Sequence, residues 1–265
     1  MTFEELRKIE NELEQINKTY DIFREDTRLN HSPAARVEFL TTVHYIEQHL
    51  KPGMKILDIG AGAGEYSLHF AKNGYAVSAL ELADSNIRAF REKLTPALDV
   101  DLIQGNAMDL SRYDDESFDI VLLFGPLYHL HKAEDRQRCI SEAKRVCKSD
   151  GTLFFSFIGH DMIFMTELSY DNSYFTSGDF NPETLRLNDF PFVFFTVPEC
   201  REMLCAGGIH IQNEIASDGF SELMAERINT MDEEGYRQYL RYHFSICEKP
   251  ELLGASNHLL FIGTK

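Results

Sequence analysis

No stretch of about 18 apolar residues occurs in the chain, so no membrane-spanning helix is expected. Residues 1–15 are charged and lack the apolar core of a secretory signal, which places the chain in the cytoplasm as an expectation. Basic residues are scarce: 26 Lys and Arg stand against 43 Asp and Glu, for a net charge of −17. No Lys/Arg-rich tract offsets that field locally, so phosphate backbones are repelled and nucleic acid is a poor partner. The five cysteines, Cys139, Cys147, Cys200, Cys205 and Cys247, form no CxxC pair, and reduced, mostly buried thiols are expected. Internal repeats, low-complexity tracts and Pro/Ser-rich linkers are missing. No His/Cys/Asp cluster has metal-ligand spacing, and a metal-independent protein is expected.

What is present is a globular pattern. The 265 residues are 43% hydrophobic and include 20 Phe and 11 Tyr, enough for one sizeable α/β core. Short apolar runs alternate with helical stretches, the mark of a largely parallel sheet. Strands are predicted at 55–59, 76–80, 100–104, 119–124, 152–158, 209–215 and 258–263. The run at 119–124 is almost wholly apolar, as a central strand buried on both faces should be.

Helices are expected at 3–16, where Phe3, Leu6, Ile9, Leu13 and Ile16 recur at helical spacing, and at 33–50, opened by Ser32-Pro33. Others are expected at 65–73, after Ser85 as N-cap, at 133–147 and at 197–206. The two N-terminal helices form a cap over 1–50 preceding a core at 53–158, all within one domain. Residues 159–196 hold nine aromatics, six acids and one base, Arg186, without a clean period. They and the helical stretch around 219–249 read as lid insertions. The acidity of the first would favour a cationic or amine ligand.

Residues 56–64 read Ile-Leu-Asp-Ile-Gly-Ala-Gly-Ala-Gly. An apolar strand enters a glycine turn, and the turn opens a helix whose free N–H groups face a ligand crevice. The spacing Gly60-x-Gly62-x-Gly64 lacks the final glycine of the dinucleotide fingerprint, because Glu65 follows Gly64. Glu81 ends the second strand, where a carboxylate can accept from both hydroxyls of a ribose.

With Gly105-Asn106-Ala107 and Phe118-Asp119 ahead of the fourth strand, this ordered set resembles the motifs of class I S-adenosylmethionine methyltransferases. Its nearer likeness is to small-molecule enzymes related to the ubiquinone and menaquinone methyltransferases. Within these it resembles a bacterial subgroup, through Gly-Pro-Leu-Tyr-His-Leu (125–130), Glu-Phe-Leu-Thr-Thr (38–42) and Leu-Leu-Gly-Ala-Ser…His-Leu-Leu (252–260). The resemblance implies a Rossmann-like α/β fold of seven strands, the last antiparallel, with helices on both faces.

It also implies site roles. Gly60, Ala61 and Gly62 would line the methionine part of S-adenosylmethionine, Gly64 would belong to the same cofactor-binding turn, and Asp58 would order the turn and the ammonium environment. Glu81 would hold the ribose. Leu82, Asn106 and Ala107 would meet the adenine, and Phe124 and Gly125 would flank the methyl group. Many relatives carry Asp at the position of Asn106, and an amide oxygen can still accept from the adenine amino group. Tyr20 and Arg36, ahead of the first strand, would reach the cofactor carboxylate.

His129 and Tyr128 are the candidate catalytic residues, His129 as a general base. Methyl transfer can also proceed by in-line positioning alone, with S-adenosylhomocysteine as product. The Gly-Pro-Leu-Tyr tail differs from the Asn/Asp-Pro-Pro-Tyr of nucleobase and protein-amide enzymes and favours a small-molecule acceptor. The chain is expected to act as a monomer or homodimer. A non-catalytic cofactor binder and an NAD-dependent oxidoreductase are the alternatives.

Overall fold

The computed structural model describes residues 2–23 and 25–265; of the cap expected over 1–50, Met1 and Arg24 lie outside them. Seven strands form one sheet: β1 (Lys55–Ile59), β2 (Ala76–Glu81), β3 (Val100–Gln104), β4 (Phe118–Leu123), β5 (Cys147–Ile158), β6 (His210–Ala216) and β7 (His258–Thr264). Their order is β3-β2-β1-β4-β5-β7-β6. Strands β1 to β5 pair in parallel, and β7 runs antiparallel between β5 and β6. The fold is thus the Rossmann-like one expected, with the last strand reversed.

Successive residues of a strand face opposite sides, and the two halves of the core follow that period. Leu57, Ile59, Val121, Leu123, Phe155 and Phe157 share one cluster, whereas Ile56, Ile120, Leu122 and Phe154 belong to another. Helices α8 (Ala133–Val146) and α10 (Val197–Ala206) supply Ile140, Ala143, Cys200 and Leu204 to the first. Helices α4 (Pro33–Glu47) and α5 (Glu65–Lys72) supply Phe39, Val43, Ile46 and Phe70 to the second. A fully buried Phe or Leu contributes about 2–3 kcal/mol, so the sheet centre is the rigid part on which the loops are mounted.

The cap contains α1 (Phe3–Leu6), α2 (Glu12–Thr19), α3 (Glu25–Arg28) and α4. The single helix expected over 3–16 is therefore two. Asn11 Oδ1 accepts the Glu14 N–H at 3.0 Å and starts a new helix, and the Gln15 amide reaches back to the Leu6 carbonyl at 3.1 Å. Helix α4 begins as expected, with Ser32 Oγ accepting the Ala35 N–H at 3.2 Å and Pro33 at its first position.

Ser85 is not a cap. Helix α6 (Asp84–Lys93) has Ala83 at its N-cap, and Ser85 Oγ donates instead to the Tyr20 carbonyl at 3.2 Å. Strand β5 starts at Cys147, directly after α8, rather than at Thr152.

Beyond β4, α7 (Pro126–His129) is a single turn. The stretch 159–196 contains α9 (Ile163–Tyr170) and an aromatic cluster of Tyr174, Phe180 and Leu187 packed with Phe164 and Phe194. The link from β6 to β7 carries α11 (Ala225–Ile228) and α12 (Glu233–Ile246).

Candidate functional site

The sheet order reverses direction between β1 and β4, and a crevice opens there beyond the strand ends. The turn after β1 is pinned to β2: the N–H groups of Gly60 and Ala61 both donate to the Leu80 carbonyl, at 2.8 and 3.1 Å. Gly60 has φ +80°, and a Cβ on it would lie 2.1 Å from the Phe124 carbonyl oxygen. Gly64 has φ +86° and lies against the Phe90 ring, 2.5 Å from where its Cβ would be. At both positions only glycine combines the left-handed backbone with the close approach.

Glu81 is buried at the end of β2. Its Oε2 accepts the Gly62 N–H at 2.8 Å; its Oε1 accepts the Ala83 N–H at 2.7 Å and the Asn86 amide at 3.3 Å. Burial raises its pKa, and these three donors work against that rise. One carboxylate thus braces the glycine turn and the start of α6, and still presents lone pairs to the crevice it lines.

Asp58 lies beneath the turn. Its Oδ2 accepts from Ser67 Oγ at 2.6 Å, tying β1 to α5. Burial pushes its pKa up to about 6, with Glu81 adding to the rise. It orders the turn from behind and lines neither recess described below.

The crevice has two connected recesses. One is lined by Tyr20, Glu81, Leu82, Asn106, Ala107 and His129, with Leu13 and Ile16 of α2 as its roof. The other is lined by Ala61, Gly62, Phe124 and Tyr128, with Glu25 and Arg28 of α3. Tyr20, Gly60 and Gly125 border both. The structure therefore gathers Tyr20, Gly60, Ala61, Gly62, Glu81, Leu82, Asn106, Ala107, Phe124, Gly125, Tyr128 and His129. Gly64 sits just behind them as the N-cap of α5. Asn106 Oδ1 already accepts the Met108 N–H at 3.0 Å.

Arg36 stands apart. Its guanidinium lies over the Phe39 ring at 5.9 Å, on a separate groove with His69 and Lys72. The arginine at the crevice is Arg28, which sequence reading passed over. It pairs with Glu25 at 3.0 Å and with Glu38 at 2.6 Å. Burial works against its charge, but the two carboxylates more than compensate and raise its pKa. The signal was the Glu25-x-x-Arg28 pair on one helical turn ahead of the first strand.

Tyr20 Oη and His129 Nε2 are 2.7 Å apart, joining the cap to α7. Burial lowers the His129 pKa to about 3 and raises that of Tyr20, so a neutral ring meets a protonated phenol. His129 Nδ1 has no hydrogen-bond partner among the described residues. Phe192 packs on the His129 ring at 5.1 Å and on Phe23 at 5.2 Å, so the 159–196 segment also closes over this edge. Burial raises the Tyr128 pKa as well.

A third constellation was not legible in the sequence. Glu38, Asp218 and His258, from three distant segments, bring their ligand atoms within 4.8 Å of one another. His258 Nδ1 lies 2.8 Å from Asp218 Oδ2 and 3.4 Å from Glu38 Oε2. Burial alone would lower the His258 pKa, yet Glu38 and Asp218 raise it to about 9.

Residues 57–155 match the family described as a methyltransferase domain. The chain is 27% identical to a ubiquinone biosynthesis O-methyltransferase of Hahella chejuensis, over 58% of this chain and 65% of that protein. It is 24% identical to a glycine/sarcosine N-methyltransferase of Aphanothece halophytica, over 47% and 48% respectively. The chain thus spans less than two thirds of the length of these relatives. In fold it is similar to a SAM-dependent methyltransferase of Methanosarcina mazei, with TM-score 0.54, 22% identity and coverage of 83% of this chain and 96% of that one. Residues 57–155 thus match a methyltransferase domain, and the sheet that holds them is similar in fold to that of a SAM-dependent methyltransferase.

Proposed function

We propose that the chain binds S-adenosylmethionine in the crevice beyond β1 and β4 and transfers its methyl group to a small-molecule acceptor. The observation that carries this reading is Glu81, braced by the N–H groups of Gly62 and Ala83 at 2.8 and 2.7 Å beside a turn that admits only glycine. This is a site built to accept two vicinal hydroxyls close to backbone.

The residues fit the cofactor part by part. Glu81 would hold the ribose. Leu82, Ala107 and the α2 roof of Leu13 and Ile16 would enclose the adenine, with Asn106 at its edge. Arg28, drawn to this recess by Glu25, would hold the methionine carboxylate in the role first considered for Arg36. The N–H groups of Gly60, Ala61, Gly62 and Gly64 are donated within the fold rather than left free, so the turn would serve the cofactor by close backbone approach at the positive end of α5.

S-adenosylmethionine supplies an activated sulfonium methyl. What remains for the protein is to hold an acceptor in line with the methyl–sulfur bond, exclude water and stabilise charge. The acceptor's lone pair forms the new bond to carbon, and the electron pair of the broken C–S bond stays on sulfur. His129, neutral and with its pKa pushed down to about 3, is better suited to hydrogen bonding than to taking a proton at neutral pH. We assign it, with Tyr20, to closing the cap over the crevice, and Tyr128 to the wall beside the methyl group. A thiol or amine acceptor must lose its proton to solvent before its lone pair can attack, and a thiolate or neutral amine then needs no base from the protein in the transfer step.

The test is to incubate the protein with methyl-labelled S-adenosylmethionine and panels of small amines, phenols and thiols. Label should pass to an acceptor as S-adenosylhomocysteine accumulates, and Gly62→Val should abolish both. Cofactor binding with no transfer to any class would favour the non-catalytic reading.

A further inference from the structure

Beside the crevice lies a larger cavity of about 310 Å³ that the cofactor reading does not use. Its walls come from α4 and its N-cap (Glu38, Ser32), from Tyr170 at the end of α9, from the β6–β7 link (Asp218, Glu222) and from His258 at the start of β7. Arg28 lines both this cavity and the methionine recess, so the two share a wall. Two stretches noted in the sequence but given no role, 38–42 and 252–260, meet here through Glu38 and His258. The cavity adjoins the methionine recess at Arg28 and lies between the cap and the two insertions, a place where an acceptor can be held beside the cofactor.

The charges of its lining are unevenly matched. Asp218 is answered by His258, and Glu38 by Arg28 at 2.6 Å. Arg28 is further shared with Glu25. Glu222 has only neutral partners: Tyr170 Oη donates to its Oε1 at 3.2 Å and the Asn257 amide to its Oε2 at 2.6 Å. It forms no ion pair among the described residues. The pKa values of Glu167 and Tyr170 are both raised, by burial first and by Glu222 next, which reports an unrelieved negative field on this wall. A carboxylate-bearing acceptor would be repelled, and a neutral one would leave the field in place. A metal ion is the weaker match, because the Glu38, Asp218 and His258 ligand atoms already face one another and Arg28.

Resting on the proposed methyl transfer, we infer that the acceptor is a small molecule carrying an ammonium group, bound in this cavity with its charge at Glu222. The aromatic ring of Tyr170 on the same wall offers a second favourable contact for a cation. At about 310 Å³ the cavity is roomy enough for a single-ring amine.

The experiment uses three probes of one shape, namely benzylamine, benzyl alcohol and benzoate. They are titrated at neutral pH into the full-length protein with and without saturating S-adenosylhomocysteine. Benzylamine should bind about ten-fold or more tightly than the alcohol, and benzoate more weakly than either. Glu222→Gln should erase the preference while leaving S-adenosylhomocysteine affinity unchanged, which also reports an intact fold. Glu222→Lys should move the preference to benzoate. Equal binding of amine and alcohol, or a preference that survives Glu222→Gln, would overturn the assignment. So would tight binding of manganese alone that is lost in Asp218→Asn, since that would make the cavity a metal site. Failure of S-adenosylhomocysteine to bind would sink the function reading instead, and the titrations without it would still read the cavity.

Discussion

The glycine crevice and the neighbouring cavity are built in opposite ways. The crevice is made largely of backbone: its turn hangs from the Leu80 carbonyl, and Glu81 is gripped by two N–H groups. The cavity is made of side chains: Glu38, Arg28, Asp218 and His258 hold one another across segments that meet only in the folded chain. A backbone-built site is fixed in shape and chemistry, as an unchanging cofactor requires. A site built from side chains can be retuned by single substitutions while the sheet beneath it stays the same, as a variable acceptor requires.

Five substitutions sharpen the contrast. The largest effect is expected for Gly60→Val, whose Cβ would meet the Phe124 carbonyl. Cofactor binding should vanish in calorimetry, and stability should fall by about 3 kcal/mol or more in denaturant unfolding. Glu81→Gln keeps the shape but replaces an acceptor by a donor facing an N–H group. Affinity for S-adenosylhomocysteine should drop about 100-fold with a smaller loss of stability.

Arg28→Met should weaken the same affinity about ten-fold, whereas Arg36→Met should change it less than about two-fold. Equal effects of the two would break the assignment of Arg28 to the cofactor carboxylate.

The smallest effect belongs to the cavity. The folded-state pKa of His258 is raised to about 9. Its contribution is therefore fully present below the unfolded value of about 6.5 and is lost as pH rises through about 9. The melting temperature should fall over that alkaline window, and His258→Gln should flatten the fall, a difference of about 1–2 kcal/mol. Asp218, whose pKa is lowered despite burial by His258 and Ser256, contributes with the opposite sign, lost only as pH falls through the acid range.

The same contrast explains what could be read from the chain alone. All seven strands follow short-range apolar patterning, and their positions match within a few residues; only β5 begins notably early, because Cys147 continues straight from α8. The crevice residues lie in consecutive motifs at strand ends, and the resemblance those motifs carry pointed to them. Arg36 is named from the sequence and Arg28 is not, because sequence gives no view of which face of the cap meets the sheet; α4 turns Arg36 toward Phe39 and the outer groove. The break at Asn11 was hidden because Leu6, Leu13 and Ile16 keep helical spacing across it. Glu38, Asp218 and His258 lie far apart in the chain, and no spacing rule connects them.

The most direct test of the central claim is a calorimetric titration of the intact protein with S-adenosylmethionine and, separately, with NAD, repeated on Glu81→Gln. The account predicts binding of S-adenosylmethionine in about the micromolar range, markedly weakened by the substitution, and no heat from NAD. Binding of NAD with none of S-adenosylmethionine would contradict it.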